Sequence, residues 1–188
     1  MNPISKYGGI VASIVLIAFG VGSVVTGVGA RSEVRDSLKQ EQIVGTPDMD
    51  ASIANKPVDT GAKAKLFAEG MRRHTLKSTD GETYSQMGHY LTAAGKPTDS
   101  KKAAAIDPES GKPVENAARN IWVTETALAT ALNTSFFAES VARFAIVMGI
   151  ALLLVGIGFL VLILRTRETA VAAQTRRQKL ANPTVAAA

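Results

Sequence analysis

The stretch Phe144–Leu164 constrains this chain more than any other. It reads FAIVMGIALLLVGIGFLVLIL, carries no charge, and is closed by Arg165 and Arg167. As a helix at about 1.5 Å per residue it covers roughly 31 Å, enough to cross a hydrocarbon core. No comparable apolar reservoir exists in the polar middle of the chain, so the stretch reads as a membrane span at 144–164.

A second uncharged run, Gly8–Ala30, follows Lys6 and Tyr7, the cationic and aromatic pair expected at a cytoplasmic interface. Val28-Gly29-Ala30 would also suit a signal peptidase, but the run exceeds the about 7–15 apolar residues of a signal peptide. The expectation is a retained span at 8–30 behind a cytoplasmic segment 1–7.

The formal charge of +5 would suit nucleic acid only if it were spread along a surface. From Arg31 to Ser140 there are fourteen basic and fifteen acidic residues. The excess lies in Lys6, Arg143 and the tail, where Arg165, Arg167, Arg176, Arg177 and Lys179 face only Glu168. Basic residues flanking spans are the positive-inside signature. Both termini are therefore expected in the cytoplasm, 31–143 outside, and no nucleic-acid partner. The tail 165–188 is expected to be basic and disordered, touching anionic lipid. The chain has no cysteine, which removes disulfides and thiolate chemistry.

Ala18, Gly22, Thr26 and Ala30 recur every four residues, a stripe of small side chains that lets a second helix approach closely. Ala142, Gly149 and Gly156 recur every seven in the second span. These residues are the expected helix-packing sites, most plainly for the two spans against each other.

Between the spans, Arg31–Ile43 is expected to continue the first helix until Gly45, Pro47 and Pro57 break it, leaving Gly45–Asp59 as loop. Gly61–Leu76 is helical in composition, with Phe67, Met71 and His74 on one face. Tyr84, Met87 and Leu91 suggest a short helix after the Asp80-Gly81 turn. Residues 92–113 hold one large apolar side chain, Ile106, and are expected to be mobile. Their two Gly-Lys-Pro tripeptides read as turns. From Pro113 onward nothing breaks helix before the tail, so one helix is expected from about Val114 to Leu164, with Glu139 and Arg143 as an i,i+4 pair. A modest core of Val34, Leu38, Leu66, Phe67, Met71, Ile121, Trp122 and Leu128 is expected, with Trp122, Phe67 and Met71 available to a partner. The fold class is thus an all-α membrane protein whose two transmembrane helices carry a small helical loop domain.

The stretch Asn116–Leu164, supported by Gly61–Leu76 (GAKAKLFAEGMRRHTL) and Thr83–Leu91 (TYSQMGHYL), resembles a family of small two-span membrane proteins of actinobacteria. The resemblance implies topology and host lineage, and no activity; the expected location is the bacterial plasma membrane. Similar sequences sometimes carry the label of an aromatic ring-opening dioxygenase, which would imply a metal-dependent oxygenase. Such a site needs histidines and a carboxylate converging on an open metal position. His74 and His89 are the only histidines, a third ligand would have to come from Glu69, Glu82 or an aspartate, and none has ligand spacing. There is no nucleophile elbow, phosphate-cradling glycine loop or dinucleotide fingerprint. Asp48 and Asp50 lie in a loop with no apolar pocket to shift a pKa. Neither span carries an ionisable residue, as ion pathways require. The expected function is therefore non-enzymatic and cofactor-free: a scaffold or accessory subunit of a membrane assembly, with the bilayer and other membrane proteins, or further copies of itself, as partners. The alternatives are the oxygenase, an oligomeric channel and an envelope sensor.

Overall fold

The computed structural model describes residues 3–181. The element order is α1 (Pro3–Gln40), α2 (Gly61–Ser78), β1 (Tyr90–Leu91), β2 (Pro97–Thr98) and α3 (Ala118–Ala181). The fold is mostly helical, and α1 and α3 are long and apolar enough to cross a membrane. The chain divides into two compact units. Among the described residues, one holds 3–30 together with 141–181; the other is Arg31–Ser140.

In the first unit α1 and α3 run antiparallel. Gly9 lies against Ile163, Gly20 against Gly149 and Leu153, and Gly27 against Ala142 and Ile146. Their large apolar residues, among them Phe19, Val25, Phe144, Leu154 and Phe159, point outward. The helix does not stop at the second span. It continues to Ala181, which corrects the expectation of disorder for 165–181. No glycine or proline falls between Gly158 and Pro183, and the Thr166, Thr169 and Thr175 hydroxyls bond to carbonyls one turn back. The rest of the expected disordered tail, 182–188, lies outside the described residues.

The second unit is built on the end of α1, on α2 and on the start of α3. Leu38, Val58, Ala64, Ala68 and Leu132 form its buried cluster, with Val34, Ile43, Phe67, Met71 and Ala129 packed around it. α2 begins where Thr60 caps it, its hydroxyl accepting from the Lys63 amide at 3.3 Å. It ends where Asp80 and Gly81 take positive φ and the Gly81 amide returns to the Leu76 carbonyl at 2.7 Å.

Several expectations for this unit are corrected. Ile121 and Leu128 are 43% and 51% exposed and lie outside the core. Their places are taken by Met49, Ile53 and Val58 from the 45–59 loop, all buried. That loop folds back on itself: Val58 N–H donates to the Ile43 carbonyl at 2.9 Å and Gly45 N–H to that of Lys56 at 3.1 Å. Gly45 sits so close to the Ile53 carbonyl that a side chain would collide with it.

The short helix expected at Tyr84–Leu91 is a single turn, because Gly88 abuts the backbone of Thr98 in the β hairpin. Residues 92–113 are ordered, and the all-α class gives way here to a small β element. Tyr90 pairs with Thr98 and Leu91 with Pro97. Leu91 N–H also reaches the Val114 carbonyl at 3.0 Å, and Val114 N–H the Ala105 carbonyl at 2.8 Å. Backbone pairing supplies here the order that apolar burial does not. The same bonds delay α3 to Ala118, four residues beyond the expected start at Val114, with the Asn116 side chain accepting from the Ala118 amide at 3.2 Å. Gly95 and Gly111, the glycines of the two Gly-Lys-Pro tripeptides, make the turns at positive φ.

Candidate functional site

The small residues of the first unit fall on two different faces. The inner seam is heptad-spaced on both helices: Ser13, Gly20 and Gly27 on α1, and Ala142, Gly149 and Gly156 on α3. A Cβ added to Gly20 would lie 2.8 Å from the Gly149 carbonyl oxygen, and one added to Gly149 would lie 2.7 Å from that of Gly20. Gly156 is pressed against Leu16 and Ile17, and Gly27 against the Ala142 carbonyl at 2.8 Å. A seven-residue repeat keeps a seam in register between supercoiled helices, and glycine lets the backbones approach. Ser13, fully buried in this seam, returns its hydroxyl to the Gly9 carbonyl at 2.9 Å.

The four-residue stripe of α1 is not part of this seam, which corrects the expectation that it packs the two spans together. Ala18, Gly22 and Thr26 are exposed, Ala30 is half-buried, and a Cβ on Gly22 would meet nothing within 4 Å. A helix turn advances 3.6 residues, so a face spaced by four drifts away from one spaced by seven. Ala18, Gly22 and Thr26 instead line an open hollow of about 550 Å³ with Phe19, Ser23 and Ala145.

The second unit is clasped by Glu139, whose side chain is 4% exposed. One carboxylate oxygen receives the Arg31 guanidinium at 3.1 Å and that of Arg35 at 2.9 Å. The other accepts the Gly61 amide at 2.6 Å. That amide is an otherwise unpaired donor in the first turn of α2, so the carboxylate also meets the positive end of a helix. Burial pushes the Glu139 carboxyl up, but the Gly61 amide and the two guanidinium groups outweigh it and the net shift is downward. One side chain of α3 thereby fixes α1 and α2 together.

Trp122 is 2% exposed and pins the segment after α2, its indole N–H donating to the Glu82 carbonyl at 3.0 Å while the Arg72 guanidinium stacks over the ring at 5.2 Å. It is a structural anchor more than an exposed contact. Arg119 lies over the Tyr84 ring at 3.9 Å and Asn116 donates to the Gly88 carbonyl at 3.0 Å, holding the same segment. Phe67 and Met71 are half-buried and line a groove of about 480 Å³ with Leu38, Ile43 and Leu128.

The two histidines are separately engaged. His74 Nε2 meets Asp48 at 2.7 Å, and His89 Nδ1 meets Asp99. Both aspartates sit below the usual carboxylate range, Asp48 chiefly through the Thr46 hydroxyl and Asp99 chiefly through the His89 ring. Among the described residues no three His, Asp or Glu side chains are grouped to hold a metal ion.

The residues missed from the sequence are Gly20, Gly27 and the Glu139 clasp. The glycines had a legible signal, since Ser13, Gly20 and Gly27 repeat at the spacing of Ala142, Gly149 and Gly156. The clasp had none: Gly61, Arg35 and Arg31 lie 78, 104 and 108 residues from Glu139. No protein-family model, curated protein or solved structure matches this chain.

Proposed function

We propose that this chain is a two-span membrane protein serving as a scaffold or accessory subunit, and that it binds another membrane helix laterally through Ala18, Gly22 and Thr26. One observation carries the reading: the inner seam already satisfies the close packing of α1 against α3, yet a second small-residue stripe stands open on the outer face of α1. Open glycine among outward valine and phenylalanine side chains offers a neighbouring helix the approach that GxxxG-type faces use. The polar middle of the chain then lies outside the cell and both termini inside, as the basic flanks favour. Retention of the first span is supported by its uncharged run, which is longer than the about 7–15 apolar residues of a signal peptide. The resemblance to small actinobacterial membrane proteins fits this reading.

The test is purification in mild detergent with mass spectrometry of whatever co-elutes, repeated for Gly22→Leu. A companion membrane protein, or a second copy, is expected with the wild type and lost from the variant. A monomer that is repeatedly clean, or a companion retained equally by Gly22→Leu, would overturn the proposal. Protease accessibility of residues 31–143 in intact cells tests the orientation separately.

A further inference from the structure

Beside Trp122 in the second unit, α2 and α3 line an open hollow of about 480 Å³ with the Glu125 carboxylate in its wall. Glu125 is 6% exposed. Its hydrogen bond is a long one, from the Thr126 hydroxyl at 3.4 Å. No Lys, Arg or His among the described residues forms an ion pair with it. Arg72 on α2 and Arg119 on α3 stack on the Trp122 and Tyr84 rings, and His74, itself in the wall of the hollow, is engaged by Asp48. A buried carboxylate left without a cation bears a desolvation cost that a positively charged donor would offset. Thr75, also 6% exposed, opens on the same hollow.

We infer that this hollow binds a small organic ammonium ion, with Glu125 as its counter-charge and Thr75 and Asn120 as neutral acceptors. One carboxylate matches one positive charge. A calcium-like ion draws on six to eight oxygen ligands, usually several of them carboxylate, which this wall does not supply. Met71 and Ile121 form the apolar part of the lining and cover the carbon body of the amine. The inference stands on the second unit alone and is independent of lateral helix binding.

The probes are benzylammonium and benzyl alcohol, titrated into the detergent-solubilised full chain and followed by ligand-observed NMR. Benzylammonium is expected to bind at least about tenfold more tightly than the alcohol, the margin typical of one charge-assisted contact. Glu125→Gln is expected to erase that preference and leave alcohol binding unchanged. Equal affinity of the two probes for the wild type, or an undiminished preference in Glu125→Gln, would overturn the site. So would displacement of benzylammonium by calcium at matched ionic strength, which would assign the carboxylate to a metal. If Glu125→Gln does not fold, Thr75→Val and the two-probe comparison on the wild type decide: a preference weakened several-fold by Thr75→Val supports the site, and an unaltered one counts against it.

Discussion

The two units of this molecule use opposite solutions to the same problem. The first puts its bulk outside and its smallest residues inside: valine, leucine and phenylalanine face outward while Gly20, Gly27, Gly149 and Gly156 meet in the seam. The second follows the ordinary aqueous rule, with a small apolar cluster and an ion clasp inside and charge outside. The difference teaches what holds each together. In the bilayer proposed for the first unit, whose tails are as apolar as the side chains, helices gain little by hiding leucine and gain by close backbone contact. Where the surroundings are water, apolar burial and well-satisfied polar groups decide.

The largest expected effect tests the second unit. Trp122→Ala removes its most buried aromatic and the bond to the Glu82 carbonyl, and should cost about 3–5 kcal/mol. Circular dichroism of thermal unfolding would show it, whereas Phe144→Ala on the outward face of the first unit should leave the melting temperature nearly unchanged. Equal losses in both would erase the contrast.

Next comes the seam. Gly20→Leu drives a side chain into the Gly149 carbonyl and the Leu153 side chain, and should cost about 3 kcal/mol, at the upper end for overpacking. The measurement is resistance of the α1–α3 pair to denaturing detergent. Gly22→Leu, two residues away, should retain wild-type resistance, to within about 0.5 kcal/mol, and lose only the lateral partner.

The clasp comes third. Glu139→Gln should cost about 1–2 kcal/mol, less than a fully buried ion pair, because Arg31 and Arg35 are 40% and 35% exposed and water can receive them. The sign with pH is definite. The folded carboxyl titrates lower than the unfolded one, so its stabilisation is complete above the unfolded value and is lost as pH falls through the ordinary glutamate range, about 4–5, and below. Melting temperature measured against pH should fall on that acid side in the wild type and fall less steeply in Glu139→Gln. Identical acid limbs would remove Glu139 as the cause.

The smallest effect concerns the ordered polar segment. Gly111→Ala, at a φ of 67°, should cost about 1 kcal/mol and raise amide exchange over residues 105–114.

Sequence patterns made the helices and their approximate limits legible. α2 was expected over Gly61–Leu76 and runs Gly61–Ser78, because a threonine cap and an Asp-Gly stop are local signals. Ala142, Gly149 and Gly156 lie on the buried face of the second long helix. Residues 92–113 defeated the reading because their order rests on backbone pairs among Leu91, Ala105 and Val114, and backbone groups have no sequence signature. Ile121 and Leu128 defeated it for another reason. Helical spacing identifies a face but not which of two apolar faces meets a neighbour.

The amino-acid sequence by itself determined that two helices are long and apolar enough to cross a membrane, since composition and length alone impose that. It also determined that both carry repeating small residues. Only the tertiary structure decided which repeat is used within the chain and which stands open, because that choice depends on the rotation of each helix about its axis. The tertiary structure alone likewise brought Arg31, Arg35, Gly61 and Glu139 to one point and left Glu125 buried without a cation. Both are consequences of packing elements distant in sequence, where local propensity has no influence.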